Sequence, residues 1–411
     1  MRKVLFISLG CDKNLADSEE MLGMLVTHGY EITNDETEAN VAIINTCAFI
    51  HDAKEESIAN ILEMARYKEE GQLKVLLITG CLAQRYKEEI VNEIPEVDAV
   101  LGTTSFDDLL EAIDQAFGGE RYLEFKDISY TPQVETKRMI TTGGHFEYLK
   151  IAEGCDKHCT YCIIPKLRGN YRSVPMEKLL NQARYLAEQG VKELILVLYC
   201  YPEEIYPELI QVMKEESKIC HYLDLPIQHA SDAILKRMGR RTTKAELKEI
   251  VGTLRREIPD IVLRTTLITG FPGETPENHE ELMEFIDEME FDRLGVFTYS
   301  AEEDTPAASM PEQVDEEVKK DRQAELMELQ QDISLDKGNE KIGRDMLVMI
   351  EGKVADENAY VGRTYGDAPN VDGYIFVNTD MELMSGDLCQ VHVTGALEYD
   401  LIGELKDEYT E

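Results

Sequence analysis

Three apolar runs in the first part of the chain each end beside a cysteine, and this pattern constrains the fold more than any other feature. The runs are Val4–Leu9, Val41–Asn45 and Val75–Thr79, and the cysteines that follow them are Cys11, Cys47 and Cys81. A further apolar run at Ala99–Leu101 and amphipathic stretches such as Glu55–Tyr67 and Phe106–Phe117 continue the alternation. Strands alternating with helices are typical of an open parallel sheet covered on both faces. The pattern therefore predicts an N-terminal α/β domain.

The three strand-end cysteines are expected to lie close together in space. In parallel sheets the carboxyl ends of the strands meet at one edge, where ligands bind. Three convergent thiolates can hold three corners of an iron–sulfur cube and leave one iron open. Three buried core cysteines are the alternative, since cysteine is often buried. All three lie just past a strand and two follow a glycine, which favours the cluster.

A second set of three cysteines lies within one loop, Cys155-Asp-Lys-His-Cys159-Thr-Tyr161-Cys162. The CxxxCxxC spacing allows one short loop to reach three corners of a single cube. No fourth cysteine completes this set, so one iron would be open to the amino and carboxylate groups of a substrate. A zinc site is the alternative, although zinc loops usually repeat CxxC or CxxH pairs to reach four ligands.

A second series of strands and helices follows a charged linker at residues 127–144. Its strands are predicted at Glu147–Ala152, Leu194–Leu198, His221–Leu225, Ile261–Thr269 and Leu294–Tyr299. Repeated β/α units predict a full or partial barrel, with its chemistry at the carboxyl ends of the strands, where the second cysteine loop lies. The turn at Gly270 lies at the same end. Glycine there would let a cofactor approach the backbone or would simply form a tight turn, so Gly270 is a candidate cofactor-binding residue.

The last hundred residues are predicted to form a charged helix and a small β-barrel. The helix is expected over Val314–Lys337. Five short apolar runs then predict a barrel of oligonucleotide-binding type, at Met346–Ile350, Tyr360–Val361, Tyr374–Val377, Cys389–Val393 and Leu401–Leu405. Residues 341–411 carry five basic and fifteen acidic side chains, so this barrel is poorly suited to bind nucleic acid.

The whole chain is strongly acidic, with 81 acidic and 42 basic residues and a formal net charge of −39. Such a field repels phosphate backbones and attracts basic proteins, although acidity can also serve solubility alone. No apolar run reaches membrane-spanning length, and the opening run is interpreted as a first strand rather than a lipoprotein signal. Nine cysteines without the proportions of a disulfide scaffold favour a reducing compartment, so a cytoplasmic protein is predicted.

Four motifs, together with the two cysteine sets, resemble the methylthiotransferase family of radical S-adenosyl-L-methionine (AdoMet) enzymes. They are Ser8-Leu-Gly-Cys11-Asp-Lys-Asn14, Cys162-Ile-Ile-Pro-Lys-Leu-Arg-Gly169, Leu198-Tyr-Cys-Tyr-Pro-Glu-Glu204 and Pro226-Ile-Gln-His-Ala-Ser-Asp232. The resemblance spans nearly the whole chain and is stronger to the branch that modifies ribosomal protein S-twelve than to the tRNA-modifying branch. It implies four parts: an auxiliary-cluster domain (1–125), a radical AdoMet barrel (140–312), a helical connector (313–340) and a TRAM-like β-barrel (341–411).

The resemblance also implies cofactors, site residues and partners. The ligands of a 4Fe-4S cluster that binds and cleaves AdoMet would be Cys155, Cys159 and Cys162, and those of an auxiliary 4Fe-4S cluster would be Cys11, Cys47 and Cys81. Tyr161 would lie near the adenine of AdoMet. The implied partners are ribosomal protein S-twelve and a reducing electron donor such as a flavodoxin or ferredoxin.

One part of the barrel departs from the family pattern. In relatives, a strand like Leu194–Val197 continues into a loop and a helix before the next strand opens with the equivalent of Leu198–Tyr201, whereas here the two are joined directly. The resemblance implies about thirty more residues at this junction, roughly one β/α unit. The joined run Leu194–Tyr201 is long enough to form one strand. The absent unit would lie at the rim of the AdoMet pocket.

The resemblance implies an enzyme that adds a methylthio group to the β-carbon of an aspartate in ribosomal protein S-twelve. The C–H bond at that carbon is unactivated, so a cofactor must supply the radical that removes the hydrogen. Two alternatives stay open. One is a tRNA methylthiotransferase, and the other is a non-catalytic iron–sulfur protein that has lost the barrel segment needed for turnover.

Overall fold

A computed structural model describes residues 2–71, 73–132, 137–355 and 357–409 of the 411-residue chain. The chain divides into two compact units, one formed by Met1–Tyr199 with Glu302–Thr305 and the other by Cys200–Ala301 with Pro306–Glu411. The bounds of the four sequence domains stay a proposal beside this division.

The first unit begins with a parallel sheet of six strands. Its elements are β1 (Lys3–Ser8), α1 (Asp12–Thr27), β2 (Glu31–Thr33), β3 (Val41–Thr46), α2 (His51–Glu70), β4 (Val75–Gly80), α3 (Cys81–Tyr86), α4 (Glu88–Glu93), β5 (Ala99–Leu101), α5 (Leu109–Phe117) and β6 (Tyr122–Glu124). The strand order is β2-β1-β3-β4-β5-β6, and every neighbouring pair is parallel.

The central strands of this sheet are covered on both faces. Every residue of β3 and β4 is buried. Ile43 packs in one apolar cluster with Leu25 of α1, while its neighbour Ile44 packs in another with Ile61 of α2. Because successive strand residues point to opposite faces, helices cover both sides of the sheet. The predicted open α/β sheet is confirmed.

The first unit continues with part of the second strand–helix series. Its elements are β7 (Phe146–Lys150), β8 (Ala152–Glu153), α6 (Ile164–Arg168), β9 (Arg172–Ser173), α7 (Met176–Glu188) and β10 (Glu193–Val197). Strands β7 and β10 form a two-stranded parallel sheet, and β8 pairs with β9 in antiparallel fashion. The pairing of β7 with β10 across α7 is one β/α repeat of the predicted barrel.

The second unit holds the rest of that series. Its elements are α8 (Pro207–Glu215), β11 (Tyr222–Asp224), α9 (Asp232–Arg237), α10 (Lys244–Glu257), β12 (Val262–Thr269), α11 (Pro276–Met289) and β13 (Arg293–Thr298). Strands β11, β12 and β13 form a three-stranded parallel sheet. The five barrel strands expected from the sequence are therefore present among the described residues, in sheets of two and three strands.

The run Leu194–Tyr201 does not form one strand, although it is long enough to do so. Strand β10 ends at Val197, whose pairing partner is Lys150, the last residue of β7. Residues 198–201 lie in no strand, and a short 3-10 helix begins at Pro202. The strand ends because its partner ends, so no hydrogen-bonding ladder continues past Val197.

Apolar side chains of β10 and of the preceding helix α7 are exposed. Leu196 of β10 is 56% exposed, and Met176 and Leu180 of α7 are 69% and 46% exposed. Strand β10 pairs on one side only, with β7, within the sheets of the described chain. The family pattern implies one more β/α unit after Val197. Such a strand and helix would cover exposed apolar side chains and pair with the open edge of β10.

The chain ends in a long helix and a closed barrel. The elements are α12 (Glu316–Asn339), β14 (Asp345–Lys353), β15 (Ala359–Arg363), β16 (Ile375–Asn378), β17 (Leu388–Ala396) and β18 (Leu401–Tyr409). Helix α12 begins two residues later than expected because the side chain of Asp315 caps it, accepting a hydrogen bond from the Glu317 amide at 2.9 Å. The barrel closes in the order β14-β15-β16-β18-β17, which confirms the predicted five strands.

Candidate functional site

The three strand-end cysteines lie at one edge of the N-terminal sheet. Strands β1, β3 and β4 are neighbours, and Cys11 caps α1, Cys47 directly follows β3 and Cys81 begins α3. Cys47 and Cys81 are buried, while Cys11 is exposed. Burial raises the pKa of the Cys47 and Cys81 thiols. The three cysteines therefore lie at the carboxyl ends of three adjacent strands.

Two glycines with positive φ allow these loops to pack closely. Gly10 has a φ of +90°, and a side-chain carbon there would lie 2.7 Å from Cβ and 2.9 Å from Sγ of Cys47. Gly80 also has a φ of +90°, and a Cβ there would lie 2.5 Å from the Thr46 carbonyl oxygen. Glycine is required at both positions because other residues would be strained in the backbone and would also clash.

Replacing Gly80 with alanine is expected to destabilise the sheet by about 3 kcal/mol, from positive-φ strain and overpacking combined. Gly29 is a matched control, since its φ is +82° but nothing lies within 4 Å of the added carbon. Gly29→Ala should cost only about 1 kcal/mol. Hydrogen exchange of the β3 and β4 amides measures both effects, with roughly hundredfold and fivefold faster exchange expected. Equal acceleration by the two substitutions would contradict the close packing at Gly80.

The buried cysteines of this edge lie close to a positive charge. Burial raises the pKa of Cys81 to about 12, and the nearby Arg168 guanidinium acts against this effect. Across the described ranges, no three His, Cys, Asp or Glu side chains are spaced to hold a metal ion as they stand. The donor set itself, three cysteines from three adjacent loops, fits an iron–sulfur cluster with one open iron. Its assignment as a ligand set stays a prediction.

The second cysteine loop is folded tightly in the first unit. Cys155 and Cys159 are buried and Cys162 is half-buried. The Cys155 amide donates to the Gly169 carbonyl at 3.0 Å, and the Cys162 amide donates to the Cys159 carbonyl at 3.1 Å. Gly154, with a φ of +70°, lets the loop pass against Gly169, since a Cβ would lie 2.5 Å from that residue's carbonyl oxygen. The loop therefore turns back on itself, as three ligands to one cluster require.

Two further predicted site residues lie in different units. Tyr161 is half-buried in the cysteine loop of the first unit. Gly270 lies in the second unit, directly after β12, with a φ of +71°. The space beside it is taken by the side chain of Lys319 from α12, whose Cβ would be 3.0 Å from an added carbon. The structure thus gives Gly270 a packing role, and its role toward AdoMet stays a prediction.

A buried charged network connects the two cysteine sets. The Lys13 ammonium donates to the Ala152 carbonyl at 2.7 Å and lies 4.4 Å from the ring centre of Tyr199. Burial lowers the pKa of Lys13 to about 8. Burial would raise the pKa of Glu153, but Arg168 and then Lys150 lower it well below its usual range. The network joins α1, which follows Cys11, to the segment that precedes Cys155.

Sequence reasoning did not single out Lys13, Asn14 or Arg168 as functional. All three lie inside motifs that carry the family resemblance, Ser8–Asn14 and Cys162–Gly169. That signal marks the segments as important, but it does not show which residue contacts which. Several of the contacts join positions more than 130 residues apart, such as Lys13 with Ala152, and depend on the tertiary fold.

Three family models match the chain. They are the uncharacterized protein family UPF0004 over residues 3–102, the radical SAM superfamily over residues 149–204 and 197–286, and the TRAM domain over residues 342–405. These matches follow the order of the N-terminal sheet, the strand–helix series and the terminal barrel. In radical SAM enzymes, SAM is AdoMet.

Curated relatives decide the family. A protein of Lachnoclostridium phytofermentans, named ribosomal protein uS12 methylthiotransferase RimO, is 60% identical over 436 aligned positions that cover 98% of this chain and 99% of the relative. The chain belongs to the RimO family. A RimO of the same name from Clostridioides difficile is 44% identical, with 98% of this chain and 99% of the relative covered. As a RimO-family member, the chain is a radical AdoMet methylthiotransferase.

The same comparisons locate a gap in this chain relative to RimO proteins. The alignment with the Lachnoclostridium relative has 436 positions against 411 residues here, so at least 25 positions of the relative have no counterpart. The radical SAM model matches in two pieces that overlap at residues 197–204. The overlap agrees with a missing segment near the junction of Val197 and Leu198, and the alignment length gives its minimum size.

A solved structure shares the fold. TsrM from Kitasatospora setae, a radical S-adenosylmethionine methyltransferase with cobalamin and a 4Fe-4S cluster bound, superposes with a TM-score of 0.52 at 13% identity, covering 86% of this chain and 81% of TsrM. At this identity the likeness concerns the fold alone. In the described part of the chain, no helix combines the length and the apolar character needed to span a bilayer.

Proposed function

We propose that this chain adds a methylthio group to the β-carbon of an aspartate in ribosomal protein uS12 (S-twelve). The observation that carries the proposal is 60% identity, over nearly the full length of both chains, to a relative whose name includes ribosomal protein uS12. A ribosomal protein substrate also favours the cytoplasm as the compartment. Anaerobic reconstitution with iron and sulfide, followed by mass spectrometry of uS12, tests the proposal.

We assign the two cysteine sets to two 4Fe-4S clusters. Cys155, Cys159 and Cys162 would hold the cluster that binds AdoMet, and Cys11, Cys47 and Cys81 would hold the auxiliary cluster. When bound, these groups and AdoMet would supply the radical that removes the aspartate hydrogen and the sulfur that replaces it. The reductant would be a small electron carrier such as a flavodoxin or ferredoxin.

The side chains around the cysteines would shield and position these groups. Cys155 and Cys159 are each only 4% exposed, so water has little access to this side of the site. Ser57 holds the loop at Cys47 by accepting a hydrogen bond from its amide at 3.0 Å and donating one to its carbonyl at 2.9 Å. Exclusion of water protects reactive species from side reactions.

The acidic character of the chain predicts a basic protein partner. With a net charge of −39 and a TRAM barrel of five basic and fifteen acidic residues, association with uS12 should weaken as salt rises. At physiological ionic strength, screening shortens the reach of this field to about 8 Å. Fluorescence anisotropy of labelled uS12 at increasing KCl concentration measures the effect, and at least a tenfold weaker Kd is expected between 50 and 300 mM.

A competition experiment separates the protein substrate from tRNA. Unlabelled uS12 should displace the labelled protein, whereas tRNA at equal concentration should not. A basic protein is attracted to the acidic chain, and the phosphate backbone of tRNA is repelled by it. Sucrose in place of KCl is the control for non-electrostatic effects. Displacement by tRNA would favour the tRNA methylthiotransferase and contradict the assignment of uS12.

A second candidate function is a non-catalytic iron–sulfur protein. It is favoured by one observation, the gap of at least 25 positions relative to the Lachnoclostridium RimO. Such a protein would bind both clusters and would not cleave AdoMet at a useful rate. Measuring 5′-deoxyadenosine after reduction with dithionite separates it from an enzyme.

A further inference from the structure

Arg168 contacts segments that belong to both cysteine sets. It ends α6, six residues after Cys162, and is only 3% exposed. Its Nη1 donates to Asp17 Oδ2 at 2.9 Å and to Glu153 Oε2 at 3.0 Å, and its Nη2 donates to Asn14 Oδ1. Asn14 and Asp17 lie in the first turns of α1, directly after Cys11. Glu153 lies two residues before Cys155.

The same guanidinium acts on the thiols of the sheet edge. Burial raises the pKa of the Cys81 and Cys47 thiols, and the charge of Arg168 acts against that effect at both. Its position is fixed by packing, since Leu167 lies in the same apolar cluster as Cys81 and Leu82 of α3. The helix that follows the second cysteine set therefore carries a buried cation and packs against α3, which begins with Cys81 of the first set.

Asn14 extends this link to two more cysteine loops. Its Nδ2 donates to the Leu9 carbonyl at 2.7 Å and to the Thr46 carbonyl at 3.0 Å, the residues that precede Gly10 and Cys47. Its Oδ1 accepts from Arg168. One arginine and one asparagine thus link the backbone before Cys11 and Cys47 to the side chain of Glu153, which precedes Cys155.

We propose that Arg168 is a positioning residue that sets the reduction potential of the auxiliary cluster. This inference rests on the assignment of Cys11, Cys47 and Cys81 as cluster ligands. The potential of an iron–sulfur cluster depends on nearby charge and on hydrogen bonds to its sulfurs. Reduction adds negative charge, so a guanidinium held near this set through Asn14 and the packing of α6 on α3 favours the reduced state and raises the potential.

The test uses the full chain with Cys155, Cys159 and Cys162 replaced by alanine, so that only the auxiliary cluster can form. In this parent, Arg168→Gln removes the charge and should lower the potential by about 59 mV, a tenfold change in the one-electron equilibrium. Arg168→Lys keeps the charge, so its one-electron equilibrium constant should stay within threefold of that of the parent. Electron paramagnetic resonance during redox titration measures both, with iron content determined in parallel.

A second variant has the opposite expected sign. Asp17→Asn removes a carboxylate that accepts from Arg168 at 2.9 Å, so the potential should rise. If Arg168→Gln loses its iron, the potential of Asp17→Asn becomes the test. An unchanged potential in Asp17→Asn would then overturn the role of Arg168. Iron retained with an unchanged potential in Arg168→Gln would overturn only that role. A parent chain without iron would overturn the ligand assignment and the role of Arg168 with it.

Discussion

Replacing Cys155, Cys159 and Cys162 together with alanine is expected to halve the bound iron and to abolish AdoMet cleavage. The two cysteine sets lie on different elements, one at the edge of the N-terminal sheet and one in the loop before α6. Each set should therefore assemble its own cluster, and iron should fall from about eight to about four per chain. Colorimetric iron analysis and chromatography of 5′-deoxyadenosine measure the two effects.

The complementary change separates the roles of the two sets. Replacing Cys11, Cys47 and Cys81 with alanine should also halve the iron but should leave AdoMet cleavage, because the second set is intact. Cys220→Ala is the matched control, since Cys220 is exposed and belongs to neither set, and it should change neither readout. Zinc in place of iron, or loss of all iron in either triple variant, would contradict two independent clusters.

Inserting the missing RimO segment between Val197 and Leu198 is expected to strengthen AdoMet binding at least tenfold and to raise turnover. Strand β10 ends at Val197 with pairing on one side only, and Leu196 beside it is 56% exposed. A further β/α unit would extend the sheet and cover this surface, and its loop would lie at the rim of the AdoMet pocket. Isothermal titration of AdoMet against the reconstituted chain, with and without the insert, measures the gain.

A linker of glycine and serine of equal length at the same position is the control for the insertion. Such a linker adds length without a strand or an apolar face, so it should not improve AdoMet binding. The N-terminal sheet has its own buried core around Val41 and Val75, and its cluster should assemble equally in all three chains. Full activity in the chain without an insert would show that the additional unit is dispensable.

The fold of the terminal regions follows closely from sequence pattern. Strands β3 and β4 read as unbroken apolar runs because both faces of a parallel sheet are buried, and the observed strands match these runs within one residue. The terminal barrel is also predicted, since Gly and Asp interrupt its short apolar runs. The end of β10 at Val197 is not predictable in this way, because it depends on where its partner β7 ends.

The candidate site could be predicted in its cysteines but not in its surroundings. Spacing alone indicates the CxxxCxxC loop, and strand order places Cys11, Cys47 and Cys81 at one edge. The link through Arg168 escapes sequence reasoning, because a single arginine contacts residues 15 to 154 positions away. Periodicity and spacing describe local structure, whereas a buried ion network is set by tertiary packing.

Mass spectrometry of ribosomal protein uS12 after anaerobic incubation tests the central claim most directly. The reconstituted chain, with and without the RimO segment inserted at Val197, is supplied with AdoMet, sulfide and dithionite, and uS12 and tRNA are offered together. The account predicts a methylthio group in place of one hydrogen on a single aspartate of uS12, in greater yield with the insert. A methylthio group on tRNA, or none on either substrate when the insert is present, would contradict it.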